Sequence, residues 1–273
     1  MLSKRKKWIV RIVFLIGFCL SIFPLVSSFI EGNNQNNAIQ TYETATSSSS
    51  KEELEEALSQ AREYNDMLYQ TQGAIVGDSS DLLSRYDEML NMTETGVMAS
   101  LEIPKINVNL PIYHGTEDDV LSIGVGHVEG SSLPVGGKNT RALLTGHRGL
   151  PTSKLFTRLD ELEKGDLFYI DVCNETLAYQ VRDIQTIEPD EVDKLETEPD
   201  EDLVSLITCT PYGINTHRLI VTGERVPYEK GEENKIDEGM MSIRELLFMI
   251  LPFIFLALMI YLILKDRKER KAS

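Results

Sequence analysis

Residues 96–228 predict a mainly β fold, a closed barrel or sandwich rather than a βαβ arrangement, on three observations. First, seven short runs of β-like composition follow one another from Gly96 onward: 97–103, 108–113, 141–145, 167–172, 176–187, 203–208 and 218–226. Second, Gly and Pro punctuate the gaps, and only Ser153 to Leu162 and the acidic stretch Asp190 to Asp202 break the pattern, the first as a short helix and the second as a loop. Third, Leu203 to Val221 reads as a β-hairpin. An apolar run ends at Cys209, Pro211-Tyr212-Gly213 turns the chain, and a second apolar run starts beside Arg218.

Taken in order, the chain opens with Lys4, Arg5, Lys6, Lys7 and Arg11, then runs 19 residues from Ile12 to Ile30 without a charge. A second uncharged run of 19 residues, Leu246 to Leu264, precedes Lys265, Arg267, Lys268, Arg270 and Lys271. At about 1.5 Å per residue each helix measures roughly 28 Å, close to the ~30 Å of bilayer hydrocarbon. Basic flanks outside the pair place both termini in the cytoplasm and the intervening residues outside. The other reading of the first segment is a cleaved signal peptide ending near Pro24 and Ser27-Ser28. Residues 31–50, rich in Asn, Thr and Ser, read as a flexible linker. Ser50 with Glu53 has the form of a capping box, and Leu54, Leu58, Ala61 and Leu68 keep helical spacing after it. Leu82, Leu83, Tyr86, Met89 and Leu90 repeat the pattern, so 51–95 reads as a helical arm. The division is therefore 1–30 basic tail and signal or anchor segment, 31–50 linker, 51–95 arm, 96–228 β-barrel, 229–242 linker, 243–264 transmembrane helix and 265–273 basic tail.

Charge and cysteine use narrow the function. Residues 31–243 carry 16 Lys plus Arg against 40 Asp plus Glu, a net charge of −24. Such a surface is not built for nucleic acid or anionic lipid, and its plain explanation is a solvated acidic exterior. No calcium-loop pattern, P-loop or dinucleotide fingerprint is present, so no metal and no cofactor is expected. Three cysteines occur, Cys19 in the first apolar segment, Cys173 and Cys209. A bridge between the last two is open on sequence grounds, but only Cys209 has turn chemistry and a nearby Arg.

An ordinary thiol of pKa about 8.5 is only a few per cent thiolate at neutral pH, so a nucleophilic cysteine needs a base, a cation or both. If the hairpin pairs, Arg218 lies across the ladder from Cys209, placed to stabilise a thiolate or an oxyanion. For the base there are four histidines, His114, His127, His147 and His217. His217 adjoins Arg218 and so faces the other side of its strand. His114 and His127 lie in Gly-containing stretches that read as turns. His147 ends an apolar run and enters a loop, where a rigid strand can aim it; position ranks it first without excluding the two turn histidines.

TGHRG around His147 and TCTPYGINTHRL around Cys209 and Arg218 resemble the sortases, membrane-anchored cysteine transpeptidases of Gram-positive surfaces. The likeness extends from about Gly96 to Val226 through LEIPKINVNLPIYHGT, GVGHVEGSSLPVGG and KLFTRLDEL. The helical arm and the C-terminal span resemble the pilin-polymerising class C. The resemblance implies an eight-stranded β-barrel with Cys209 as nucleophile, His147 as general acid or base, and Arg218 as the group that binds substrate or steadies the oxyanion. It implies cleavage of a Leu-Pro-x-Thr-Gly sorting signal between Thr and Gly, a thioester, and transfer to a pilin lysine; the partners are then pilin subunits bearing a C-terminal sorting signal and, through two helices, the bilayer. Thr208, beside the nucleophile, is expected to touch substrate.

One departure from the class C pattern stands out. The arm of that class commonly carries a lid motif, Asp-Pro followed by an aromatic residue. Here the corresponding stretch is Gly77-Asp78-Ser79-Ser80, without the Pro or the aromatic, so Asp78, Ser79 and Ser80 are expected to form a weak lid or to pack elsewhere. Other readings are anchoring of proteins to peptidoglycan, a secreted cysteine protease, and a non-enzymatic tethered ectodomain whose thiol is structural.

Overall fold

The computed structural model describes residues 4–71, 85–93, 95–150, 152–233 and 243–272 of the 273-residue chain. The chain divides into two units, Met1–Ile30 with Met240–Ser273, and Glu31–Gly239. In the larger unit eight strands, β1 (Val97–Ile103), β2 (Val108–His114), β3 (Val125–His127), β4 (Thr140–Thr145), β5 (Leu167–Val172), β6 (Glu175–Ile187), β7 (Asp202–Thr210) and β8 (His217–Val226), close into a barrel. Its order is β1-β2-β3-β4-β7-β8-β6-β5, with β5 pairing back onto β1. Seven of these strands are the seven apolar runs. β3 is the one the sequence does not announce, because three residues are too few to show alternation.

Two neighbouring pairs are parallel, β2 with β3 and β4 with β7. Parallel neighbours need a crossover, supplied for β2 and β3 by the short helix α3 (Asp118–Ile123) and for β4 and β7 by everything from residue 146 to 201. That second crossover positions the site. Alternate residues Ala142, Leu144, Val204, Leu206 and Val221 fill the barrel. The intervening Leu143, Ile207 and Ile220 face outward but are also buried, under Ile187, Val192 and Leu195. Both faces of β4 and β7 are therefore dry, which is why LLT and LVSLIT read as nearly continuous apolar runs. The acidic loop expected at 190–202 contains a 3-10 segment, Pro189–Lys194, and Asp202 already belongs to β7.

The stretch expected as a flexible linker is helix. α1 runs without a break from Lys4 to Ser48. Gln35, Ile39, Tyr42 and Thr46 recur at steps of four, three and four residues, and all are buried. Gln35 Nε2 donates to the Ile123 carbonyl at 2.9 Å and to Ser153 Oγ at 3.0 Å. The Tyr42 hydroxyl accepts the Cys173 N–H at 2.9 Å, and Asn174 Nδ2 donates to the Thr46 carbonyl at 3.0 Å. Asn-, Thr- and Ser-rich composition disguised one narrow docking stripe as a spacer.

α2 (Lys51–Thr71) begins at the expected capping box, with Glu53 N–H donating to Ser50 Oγ at 3.2 Å and Ser50 N–H to Glu53 Oε2 at 2.9 Å. Leu54, Leu58, Ala61, Tyr64 and Leu68 join the barrel's own core, each large side chain contributing about 1.5–3 kcal/mol by burial. Asn65 completes the dock: its amide donates to the Leu133 carbonyl at 3.0 Å and accepts the Leu133 N–H at 2.7 Å. The amphipathic face of α2 thus docks on the barrel. Of the second helical pattern, Tyr86–Glu88 forms a 3-10 turn; Asp78, Ser79 and Ser80 lie outside the described residues. The short helix expected at 153–162 is reduced to a 3-10 turn, Leu159–Glu161.

In the smaller unit the apolar part of α1 is long and apolar enough to cross a membrane. It meets α4 (Ile243–Ala272) at Phe14 and Phe255, whose rings lie edge to face at 6.2 Å. The apolar part of α4 among the described residues, Met249–Lys265, is shorter than the predicted second span.

Candidate active site

The β7–β8 hairpin pairs Cys209 directly with Arg218, Ile207 with Ile220 and Thr210 with His217. Directly opposed residues share a face, so Cys209, Arg218, Ile207 and Ile220 all point away from the barrel interior. The thiol therefore stands at the end of an apolar floor, Leu143, Ile207 and Ile220, with Val128, Ile187, Val192 and Leu195 packed against it. The Arg218 guanidinium donates to the carbonyls of Asn215 at 3.4 Å and His217 at 3.2 Å, which holds it against the hairpin loop. His217 turns the other way and meets Glu188 at 3.2 Å.

His147 reaches this place through the parallel pair. β4 and β7 run in step from Thr140 with Asp202 to Thr145 with Ile207. Two residues beyond that register stand His147 on one chain and Cys209 on the other. Hydrogen bonds continue the match past the end of the ladder. Gly146 N–H donates to the Ile207 carbonyl at 3.1 Å, and Thr208 Oγ1 donates to the Gly146 carbonyl at 2.7 Å. Gly146 is required here because a Cβ would sit 2.8 Å from the Phe156 ring. Farther along, the His147 carbonyl accepts the Phe156 N–H at 3.1 Å. His147 and Cys209 are both partly exposed, so both are open to a ligand.

Thr208, expected to touch substrate, is buried beside the nucleophile. Its side chain is 1 % exposed, and its hydroxyl is used on Gly146. Strand parity explains the difference: 208 faces inward where 209 faces outward. Thr208 holds the His147 loop through this bond.

The other histidine and cysteine candidates are placed as structural groups. His127 is fully buried in β3, not in a turn. Its Nε2 lies 2.8 Å from the Ser132 carbonyl, which can only accept, so Nε2 carries the proton and Nδ1 accepts from the Tyr86 hydroxyl at 2.9 Å. Tyr86 in turn accepts the Gly115 N–H at 3.0 Å. Burial away from solvent lowers the His127 pKa to about 4, with His114 adding to the effect. His114 ends β2, pairs with His127 in register, and is bonded to the Met89 carbonyl at 2.8 Å. Cys173 is 2 % exposed, and burial pushes its thiol up, opposite to what a nucleophile needs. All three cysteines are free, so the open question of a Cys173 to Cys209 bridge is answered. Among the described residues no cluster of His, Cys, Asp and Glu has the geometry of a metal site.

Sequence reading passed over Arg148, next to His147. Its side chain is 3 % exposed and forms an ion pair with Asp160; it also donates to Thr210 Oγ1 at 3.2 Å and lies 5.9 Å from the centre of the Tyr212 ring. The only sequence signal was its place in TGHRG, where it reads as one more surface charge.

The molecule is thus a closed eight-stranded barrel with Cys209 and Arg218 paired across β7 and β8 and His147 two residues beyond the end of β4. Comparison with known proteins places this arrangement: the sortase domain matches residues 101–226, and the chain belongs to the sortase family. Sortase C1 of Streptococcus agalactiae is 42% identical, with 71% of this chain and 100% of that chain covered and a TM-score of 0.66. Sortase C of Streptococcus pneumoniae is also 42% identical, covering 70% and 97% with a TM-score of 0.63. A Clostridium perfringens sortase C, solved with the C-terminal cell wall sorting motif, gives 42%, 70% and 99% with a TM-score of 0.61. Among curated relatives, sortase D of Bacillus subtilis is 35% identical over 137 residues. The match spans 66% of that relative and 59% of sortase A of Streptococcus agalactiae, itself 31% identical.

Proposed function

We propose that the chain is a class C-type sortase: a cysteine transpeptidase that cleaves a Leu-Pro-x-Thr-Gly-like signal between Thr and Gly and passes the acyl fragment to a pilin lysine. The observation that carries the reading is the shared register of Cys209 with Arg218 across the hairpin and of the His147 loop with Cys209 along β4 and β7. The roles follow from placement. The Cys209 thiolate attacks the Thr carbonyl carbon, and Arg218 faces the oxyanion that forms. His147 gives a proton to the departing glycine amine as the C–N bond breaks, leaving a thioester on Sγ. An entering lysine amine attacks that thioester, His147 takes its proton, and Cys209 leaves as thiolate. One amide is exchanged for another, so acyl reactivity is conserved and no nucleotide is consumed. Support for the pilin reading comes from the sortase C of Streptococcus pneumoniae, 42% identical, whose structure bears on pilin substrate specificity.

On this reading the apolar segments of α1 and α4 anchor the protein, with both ends cytoplasmic and the barrel outside. The deciding experiment mixes the full chain with a Leu-Pro-Ala-Thr-Gly peptide and looks by mass spectrometry for an acyl adduct on Cys209, then offers a pilin lysine or a wall-peptide amine. An adduct that passes to the lysine supports the proposal. Passage only to the wall amine shifts it to anchoring, and absence of an adduct with unchanged pili in Cys209→Ala cells rejects it.

A further inference from the structure

We propose that Arg148 is a positioning residue that sets the separation of His147 from Cys209, acting through Thr210. The inference rests on the roles given above to Cys209 and His147. Each of those residues is the middle member of a tripeptide, 146–148 on one chain and 208–210 on the other. On one side the tripeptides are tied by Thr208 Oγ1 to the Gly146 carbonyl at 2.7 Å. On the other side the tie is Arg148, donating to Thr210 Oγ1 at 3.2 Å. The first bond lies at the end of the β4–β7 ladder and is backed by it; the second lies beyond the ladder's last pair, Thr145 with Ile207.

The arginine is built to hold that position. Its guanidinium is out of solvent, and its charge is met by Asp160 from the 3-10 turn that follows the loop. It also lies within cation–π range of Tyr212 in the hairpin turn. Gly149 lets this ring approach: at a φ of +81°, a Cβ there would meet Tyr212 at 3.0 Å. One planar fork thus joins three segments, the His147 loop, the hairpin turn after Cys209 and the turn at Asp160. A lysine, with one point charge and no fork, cannot reproduce this.

The test compares Arg148→Met, Thr210→Val, Thr210→Ser and the Arg148→Met/Thr210→Val pair in the full chain in detergent, using cleavage of a Leu-Pro-Ala-Thr-Gly peptide. A misplacement of about 1 Å between reacting groups costs on the order of 100-fold in rate. Arg148→Met and Thr210→Val are each expected to lower kcat by about that factor with KM within about threefold, and the pair to lose no more than either alone. Thr210→Ser, which keeps the acceptor oxygen, is expected to stay within about threefold of wild type. A kcat within about threefold of wild type in Arg148→Met or in Thr210→Val, or additive losses in the pair, overturns the proposal. Should Arg148→Met fail to fold, Thr210→Val decides alone. A parallel arm measures iodoacetamide modification at Cys209, which needs no substrate and is expected to slow at least about tenfold in Arg148→Met. If Cys209→Ala still cleaves the peptide, the assigned function fails, while the alkylation arm still judges whether Arg148 controls the thiol.

Discussion

Two neighbouring strands, β3 and β4, each carry a histidine at or just beyond their last residue, and the two histidines have opposite fates. At the β2–β3 end, His127 is sealed under Tyr86, with both ring nitrogens committed and a pKa near 4. At the β4–β7 end, His147 has its backbone committed, through Gly146 and Phe156, while its side chain stays partly open. The contrast shows how this fold separates stability from chemistry: a side chain whose hydrogen bonds are all taken stabilises, and one whose backbone alone is tied down is free to react. The cysteines repeat it, Cys173 buried and Cys209 open.

The largest test of that contrast is removal of the open pair. Cys209→Ala or His147→Ala is expected to slow acyl transfer by about 1,000-fold or more while thermal unfolding stays within about 0.5 kcal/mol of wild type. A coupled drop in stability would show that these groups, too, are structural.

Acid should act on the sealed end. His127 has a folded-state pKa of about 4 against about 6.5 when unfolded, so the unfolded chain binds the extra proton first. Stability from this group is complete above about pH 6.5 and is lost as pH falls toward 4, by up to about 3 kcal/mol. Urea unfolding at pH 7 and pH 4.5 measures it; His127→Gln should flatten the difference, and an equal slope in that variant would remove His127 as the cause.

Next in size is Tyr86→Phe, which strips the partner from His127 Nδ1 and from Gly115 N–H. Leaving buried groups unsatisfied costs about 1–3 kcal/mol, so the urea midpoint should drop while the alkylation rate of Cys209 holds. The smallest effect expected is for Thr208→Val, about 1 kcal/mol in stability from the lost bond to Gly146, accompanied by slower peptide turnover. Unchanged turnover would mean that the ladder alone fixes the His147 loop.

The hairpin and seven of the strands were legible because their pattern is local. Two nearly continuous apolar runs and a Pro-Tyr-Gly turn lie within twenty residues of each other, and the Cys209–Arg218 pairing follows from counting back from the turn. Ser50 and Glu53 announced the start of α2 in the same way. β3 escaped because it is three residues long, and the 35–46 stripe of α1 escaped because its dock is made of Gln, Tyr and Thr hydrogen bonds rather than apolar mass.

By itself, the sequence determined what each residue can do: a hairpin, a thiol and guanidinium in register, two apolar ends, and histidines competent for proton transfer. Tertiary structure decided which of them are free to do it. Burial of His127 and Cys173, the inward parity of Thr208 and the reach of Arg148 to Thr210 and Asp160 all depend on residues brought together from distant parts of the chain. The reason is that local periodicity fixes which way a side chain points, whereas solvent exposure and hydrogen-bond partners are set by whatever else folds over it.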